Sequence, residues 1–394
     1  MFESISQAPP DAILGLTESF NADPSPSKIS LAVGVYKDAM GQTPVLQCVK
    51  EAERRLIVSE KTKTYLGIEG LPDYRNHVRE LLFGNSIEKE RVAVVQTPGG
   101  TGGVRVAADF IAGQFPAATV WVSSPTWENH INIFMAAGLQ THTYRYLDAA
   151  KTGLDFNSMM DDLANKSKPG DVVLLHACCH NPTGVDPTAE QWETIAKLLA
   201  EKRLLPLIDF AYQGFGVGID EDAFGLRCVL KYCNELLVAS SFSKNFGLYS
   251  ERVGAAVMVA GDSKSATAGL SQLKRVVRSN YSNPPRHGAA VVATVLEDNE
   301  LRAMWHNELA TMRDRIAEMR RALVNALRDG GAKRNFGFLL GQSGMFSYTG
   351  LSPMQVDRLR SESHVYIVGS GRINVAGITP SNLPSLTNAL LGVL

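Results

Sequence analysis

Short apolar runs alternate with amphipathic stretches through the middle of the chain. The runs lie at residues 92–96, 120–123, 141–146, 172–176, 205–208, 236–240 and 253–259; six are mostly apolar at consecutive positions, while 141–146 carries Thr, His and Arg beside two tyrosines. Unbroken apolar runs suit strands covered on both faces, because a half-exposed strand alternates apolar with polar residues. Helical patterns lie between several of them, so the expected fold is α/β, with a mostly parallel seven-stranded sheet layered by helices. Further on, Trp305, Leu309, Met312, Ile316, Met319, Leu323 and Leu327 recur at three- and four-residue steps. That spacing predicts one long amphipathic helix over 301–327, ended by Gly330-Gly331. Beyond it, runs at 336–340, 345–348, 365–368 and 373–375 read as short strands of a smaller α/β domain. The start of the chain holds no core of its own. Residues 1–13 are expected to form an arm on a partner subunit, 14–43 and 312–394 the small domain, and 44–311 the large domain.

Composition narrows the function classes. Of 394 residues, 39 are Lys or Arg and 40 are Asp or Glu, for a net charge of -1. No long-range field therefore draws the protein to nucleic acid or to an anionic membrane, and any recognition of charge is local. There is no apolar run of about 18 residues that could span a bilayer, and Met1-Phe2-Glu3-Ser4 does not open a secretion signal, so the expected location is the cytoplasm. Five cysteines, two of them adjacent, argue against a disulfide framework and for a reducing compartment. His176-Ala177-Cys178-Cys179-His180 has soft ligands without the spacing of a metal site, and no metal is expected.

In open α/β sheets the site forms at the carboxyl ends of the strands. Lys244 stands there, in Ser240-Ser241-Phe242-Ser243-Lys244-Asn245-Phe246-Gly247, eight residues before Arg252. Most lysines keep a solvated ammonium. One at a buried strand end near other cations loses its proton more easily, and its free amine attacks carbonyls to form a Schiff base. Small Ser and Gly neighbours leave room for a bulky aldehyde and Arg252 offers a charge for an anionic group on it; pyridoxal phosphate has both parts. Gly99-Gly100-Thr101-Gly102-Gly103 opens a helical pattern over 104–112, as a phosphate cradle or as a plain glycine turn. Asp209, at another strand end, needs a partner: a helix cap, a salt bridge, or a protonated pyridine nitrogen, with Tyr212 donating to the ring's phenolate oxygen. His130 and His176 are candidates to hold that carboxylate. Asn181 in Asn181-Pro182-Thr183-Gly184 is either a turn residue or a donor to the cofactor oxygen and a substrate carboxylate. Trp127 is either core or a ring packed near the cofactor with its indole N–H free for a carboxylate.

Several motifs run in order along the chain: Tyr65-Leu66-Gly67-Ile68-Glu69-Gly70, Pro98-Gly99-Gly100-Thr101-Gly102, Pro125-Thr126-Trp127-Glu128-Asn129-His130, His180-Asn181-Pro182-Thr183-Gly184, Asp209-Phe210-Ala211-Tyr212-Gln213-Gly214, Ser241-Phe242-Ser243-Lys244-Asn245-Phe246-Gly247-Leu248-Tyr249 with Glu251-Arg252-Val253-Gly254, and Ser370-Gly371-Arg372-Ile373-Asn374. Together they resemble the class I pyridoxal-phosphate aminotransferases, nearest to the aspartate and aromatic branches. The resemblance implies fold type I, pyridoxal 5'-phosphate as cofactor, and Lys244 as the Schiff-base lysine. It further implies Asp209 on the ring nitrogen, Tyr212 and Asn181 on the ring oxygen, and Gly100, Thr101, Ser241 and Arg252 on the phosphate. Trp127, Asn181, Gly34 and Arg372 would hold the substrate α-carboxylate. Tyr65 and Arg278 would reach in from a second subunit, to the phosphate and to a distal carboxylate respectively, which implies a homodimer; alone, Arg278 reads as a solvated helix-face charge. The implied reaction is ping-pong transfer of the amino group of L-aspartate to 2-oxoglutarate, or a dual-specificity aromatic variant acting on tyrosine and phenylalanine.

Overall fold

The computed structural model describes residues 1–7 and 14–394. Among the described residues there are eleven strands: β1 (Ile29–Ser30), β2 (Val92–Pro98), β3 (Thr119–Ser124), β4 (Gln140–Arg145), β5 (Val172–His176), β6 (Leu205–Phe210), β7 (Leu236–Ser241), β8 (Val253–Val259), β9 (Phe346–Tyr348), β10 (Val365–Tyr366) and β11 (Arg372–Asn374). Seven form one sheet in the order β2-β8-β7-β6-β5-β3-β4, matching the seven apolar runs. Every pairing is parallel except those of β8, which runs antiparallel to both neighbours. Parallel neighbours need a crossover of a dozen residues or more, and residues 242–252 are too few for one, so the chain reverses directly. The reversal carries Lys244 and Arg252.

β5, β7 and β8 are buried at every position, whereas the edge strand β4 is mostly exposed, which accounts for its polar residues. Alternate side chains of the sheet enter two cores: Val95, Val122, Leu174, Leu207 and Leu237 on one face, and Val94, Val173, Leu175, Ile208, Val238 and Val257 on the other. Each such side chain contributes about 1.5–3 kcal/mol on full burial.

The long helix spans Asn299–Asp329 without a break, and all seven residues of the predicted stripe are buried. Asp298 caps it, accepting the N–H groups of Glu300 and Leu301. Trp305 stacks on Phe246 at 4.6 Å and donates its indole N–H to the Asn245 carbonyl at 2.7 Å, so this helix braces the turn that holds Lys244. The expected domain boundary between 311 and 312 falls inside this continuous helix.

The smaller α/β unit contains β1 paired parallel with β10, and β9 paired antiparallel with β11. The run at 336–340, expected as a strand, instead has Phe336 at the start of, and residues 337–340 within, a 3-10 turn at Gly337–Gly341. Just before that turn Asn335 accepts the Gly337 N–H through Oδ1 at 2.8 Å, and glycines at both ends favour turning over pairing. At the start of the chain Met1, Phe2 and Ile5 are exposed; residues 8–13 of the expected arm lie outside the described residues. All five cysteines are buried and unbonded.

Candidate active site

The loops after β2, β3, β5, β6 and β7 meet at a cavity of about 230 Å³, closed from the other side by Gly34, Phe346 and Arg372 of the smaller unit. Every expected site residue except Tyr65 and Arg278 lines it. Tyr65 is 93% exposed on this chain. Arg278 is exposed in the last turn of the helix Ser263–Asn280, donates to Ser282 Oγ, and borders a separate groove.

One end of the cavity is acidic. Asp209 is 9% exposed, and a chain of hydrogen bonds behind it fixes its partner's tautomer. The Asn181 backbone N–H, which can only donate, points at His176 Nδ1 at 3.4 Å. Burial and the neighbouring His130 push the His176 pKa down to about 3, so the ring is neutral and its one proton lies on Nε2. Nε2–H then donates to Thr126 Oγ1 at 3.4 Å, and the Thr126 hydroxyl donates to His130 Nδ1 at 2.9 Å. His130 Nε2–H is left to donate to Asp209 Oδ2 at 3.1 Å. Burial pushes the Asp209 carboxyl up, but the His130 hydrogen bond, with the Lys244 amine nearby, outweighs it and holds the carboxyl below its usual range.

The other end is basic. The helix Gly99–Gln114 begins at the first glycine of the run rather than after it, so the glycines form its opening turn, where the N–H groups have no intrahelical partner. Gly99 has φ +74°, and a Cβ there would lie 2.3 Å from Arg252 Nη2, so the close approach of guanidinium and helix start requires glycine. Arg252 is steadied by donation to the Tyr249 carbonyl at 3.0 Å. Ser241 and Ser243, in mutual contact at 3.2 Å, line the same end.

Lys244 lies between these ends, its Nζ 4.9 Å from the centre of the Tyr212 ring. Burial lowers its pKa, Asp209 opposes this and Arg252 adds to it; the net effect holds the amine below the ordinary lysine range. Burial raises the Tyr212 phenol, so it keeps its hydrogen and can donate.

Arg372 is 5% exposed and lies 4.4 Å above the Phe346 ring. It donates to Asn181 Oδ1 at 3.3 Å and to the Ala32 carbonyl at 2.7 Å, and its Nε has no partner. Gly34 lies beside it, and a Cβ there would come within 2.6 Å of Phe346 Cζ. Asn374 secures this stretch by donating to the carbonyls of Val33 and Val35 at 2.7 and 2.8 Å. Such a cavity suits a ligand that is cationic at one end and anionic at the other, with room for a carboxylate at Arg372.

Sequence reasoning passed over four residues. Ser243 and Tyr249 line the cavity and stood unremarked in a motif already singled out; Tyr249 accepts the Tyr36 N–H at 2.9 Å. Phe346 gave no signal beyond that of a strand core residue. His180 was weighed only as a soft metal ligand; it bridges Ser123 and Thr183 at 2.9 and 2.8 Å and stacks on Tyr146 at 3.9 Å, holding the approach to Asn181. The adjacent cysteines lie elsewhere, their Sγ atoms and an Asp222 oxygen within 4.8 Å of one another; burial is the chief cause raising the Cys178 thiol, and Cys179 is raised as well.

This sheet, with a lysine-bearing reversal at its carboxyl edge, is that of fold-type I aminotransferases. The chain belongs to the family described as aminotransferase class I and II, whose profile matches residues 26–390. It is 54% identical to the aspartate aminotransferase of Escherichia coli (strain K12) and 46% identical to the aromatic-amino-acid aminotransferase of the same strain, in each case over 100% of both chains. Its fold matches, at a TM-score of 0.97 and 46% identity, an aromatic-amino-acid aminotransferase from Burkholderia pseudomallei covalently bound to pyridoxal phosphate, covering 100% of this chain and 99% of that one.

Proposed function

We propose that this enzyme transfers the amino group of L-aspartate to 2-oxoglutarate, giving oxaloacetate and L-glutamate, with pyridoxal 5'-phosphate bound at Lys244. The observation that carries the reading is Arg372: a buried guanidinium whose Nε has no partner and which, among the described residues, has no carboxylate to pair with. An uncompensated buried charge is costly, and a substrate α-carboxylate would complete it through two parallel N–H bonds.

The polarity of the cavity fits the cofactor. Asp209 suits a protonated pyridine nitrogen, and Arg252, Ser241 and the opening N–H groups at Gly100 and Thr101 suit a phosphate. Pyridoxal phosphate supplies an aldehyde that condenses with amines and a ring that draws electrons from a substrate α-carbon. Tyr212 O–H and Asn181 Nδ2 would donate to the ring oxygen; Asn181 suits this because its Oδ1 already accepts from Arg372, leaving its N–H groups free to turn toward the cavity. Lys244 Nζ, with its charged form disfavoured by burial, would act as the base that takes a proton from the substrate α-carbon and gives it to the cofactor's aldehyde carbon. Trp127 and the backbone at Gly34 help Arg372 orient the carboxylate.

The two expected residues that stand outside the cavity support a homodimer with shared sites. Tyr65 and Arg278 are exposed here, and Ile57 and Val58, at 82% and 80% exposure, add apolar surface for a second copy to cover. From that copy Tyr65 would reach the phosphate, and Arg278 would meet the distal carboxylate of aspartate or glutamate. An apolar side chain would leave Arg278 unpaired at a cost of several kcal/mol unless it swings away. The similarity to aspartate aminotransferase favours the dicarboxylate, and that to the aromatic enzymes keeps tyrosine and phenylalanine as the alternative. We place the enzyme in the cytoplasm; among the described residues no helix is long and apolar enough to cross a membrane. A visible spectrum that shifts on adding aspartate, with kcat/KM for aspartate well above that for phenylalanine, is the expected result. A ratio near or below one would overturn the substrate, and near-normal turnover by Lys244→Ala would overturn the assignment of the lysine.

A further inference from the structure

A second cavity, of about 250 Å³, shares no lining residue with the active site. One wall is a face of the helix Asn299–Asp329, where Arg313, Ala317, Arg320 and Arg321 follow at helical spacing and so project to the same side. The other walls are Phe215-Gly216 and the loop around Ser343-Gly344.

Arg320 is 5% exposed, yet it donates only to neutral oxygens, from Nε to Ser347 Oγ at 3.2 Å and from Nη2 to the Gly344 carbonyl at 2.5 Å. Burial lowers its pKa to about 10, which leaves it charged at neutral pH. Arg321 is exposed, and among the described residues neither it nor Arg320 is paired with a carboxylate. Arg313 donates to the Gly214 carbonyl at 3.2 Å, and its Nε is 3.7 Å from Asp314, itself 77% exposed. The carboxylates behind the walls are already engaged. Asp222 accepts the N–H groups of Gly214, Gly216 and Val217, and Asp186 accepts those of Cys179 and His180 and the Ser343 hydroxyl. Three guanidiniums therefore border one cavity, and the most buried of them has no counter-charge, a costly arrangement unless an anion joins it.

We propose that this cavity binds a phosphate dianion, free or carried on a small molecule, with Arg320 as its buried contact and Arg313 and Arg321 closing over it. Guanidinium forks match the oxygens of phosphate by paired, charge-assisted hydrogen bonds. Arg320 also grips β9 through Ser347, and the preceding residue, Phe346, lies under Arg372. Occupancy is thereby linked to the strand beneath the active-site guanidinium.

The test measures binding of inorganic phosphate and of glycerol phosphate to the holoenzyme by calorimetry, with succinate saturating the active site so that Arg372 is not available. Saturable binding is expected, weakened about tenfold by Arg321→Gln or Arg313→Gln, as loss of one hydrogen bond to a charged group implies. Arg320→Met is expected to abolish it; should that variant misfold, the two less buried substitutions carry the test. Tighter glycerol phosphate points to an esterified ligand and tighter inorganic phosphate to the free ion, and either supports the site. Absence of saturable binding of both probes, or equal affinity in wild type, Arg313→Gln and Arg321→Gln, overturns it.

Discussion

Thr126→Val removes one hydroxyl from the chain of bonds behind Asp209 while keeping nearly the same shape. His176 Nε2–H and His130 Nδ1 then lose their shared partner, at about 1–3 kcal/mol for each buried group left unpaired. His130, freed of the hydroxyl that keeps Nδ1 bare, can carry its proton on the wrong nitrogen and present a lone pair to Asp209. The His130–Asp209 bond spans 3.1 Å, and a bond to a charged group is worth about 1.5–3 kcal/mol. At about 1.4 kcal/mol per tenfold change in rate, its loss lowers kcat by about 10–100-fold. Steady-state turnover with aspartate and 2-oxoglutarate reads this directly, and Thr126→Ser, which keeps the hydroxyl, is expected to stay within about threefold of wild type. The pH profile adds an independent sign. His130 helps hold the Asp209 carboxyl below its usual range, so weakening that bond raises it and moves the acid limb of activity toward neutral pH. A Thr126→Val enzyme with wild-type kcat and an unmoved acid limb would refute the relay.

Arg372→Lys keeps the charge and loses the fork; kcat/KM for aspartate is expected to fall by about 10–100-fold, since one charge-assisted bond disappears and the contact with Asn181 goes with it. Gly99→Ala forces a side chain onto φ +74° and into Arg252, so cofactor affinity should drop by at least about tenfold, read by equilibrium dialysis of pyridoxal phosphate. His176 has a folded pKa of about 3 against an ordinary 6.5, so between those values the unfolded state binds the extra proton and stability falls with falling pH. Denaturant unfolding from pH 6.5 downward should show a slope shallower in His176→Gln than in wild type by up to about 1.4 kcal/mol per pH unit; identical slopes would contradict the neutral buried ring.

Much of this was legible in the chain because local pattern and global fold agree. The seven apolar runs became the seven strands, and the stripe from Trp305 to Leu327 became one face of one helix. The glycine run at 99–103 and Lys244 could be picked out because their chemistry depends on immediate neighbours and on a strand end. The run at 336–340 misled, since two phenylalanines and two leucines look alike in a strand and in a turn, and the one glycine among them, Gly337, was the only local sign of turning. Phe346 was invisible for a different reason: its role depends on Gly34 and Arg372, both far away in sequence.

By itself the sequence determined the α/β class and the sheet's membership and singled out Lys244 as the candidate reactive lysine, since each is set by periodicity or by a contiguous motif. Tertiary structure alone decided the direction of β8, the joining of Asp209 to Asn181 through His130, Thr126 and His176, and the three arginines facing a separate cavity. Those features depend on distances between residues remote along the chain. Burial then decides their charge states, and burial is a property of the packed molecule rather than of any segment of it.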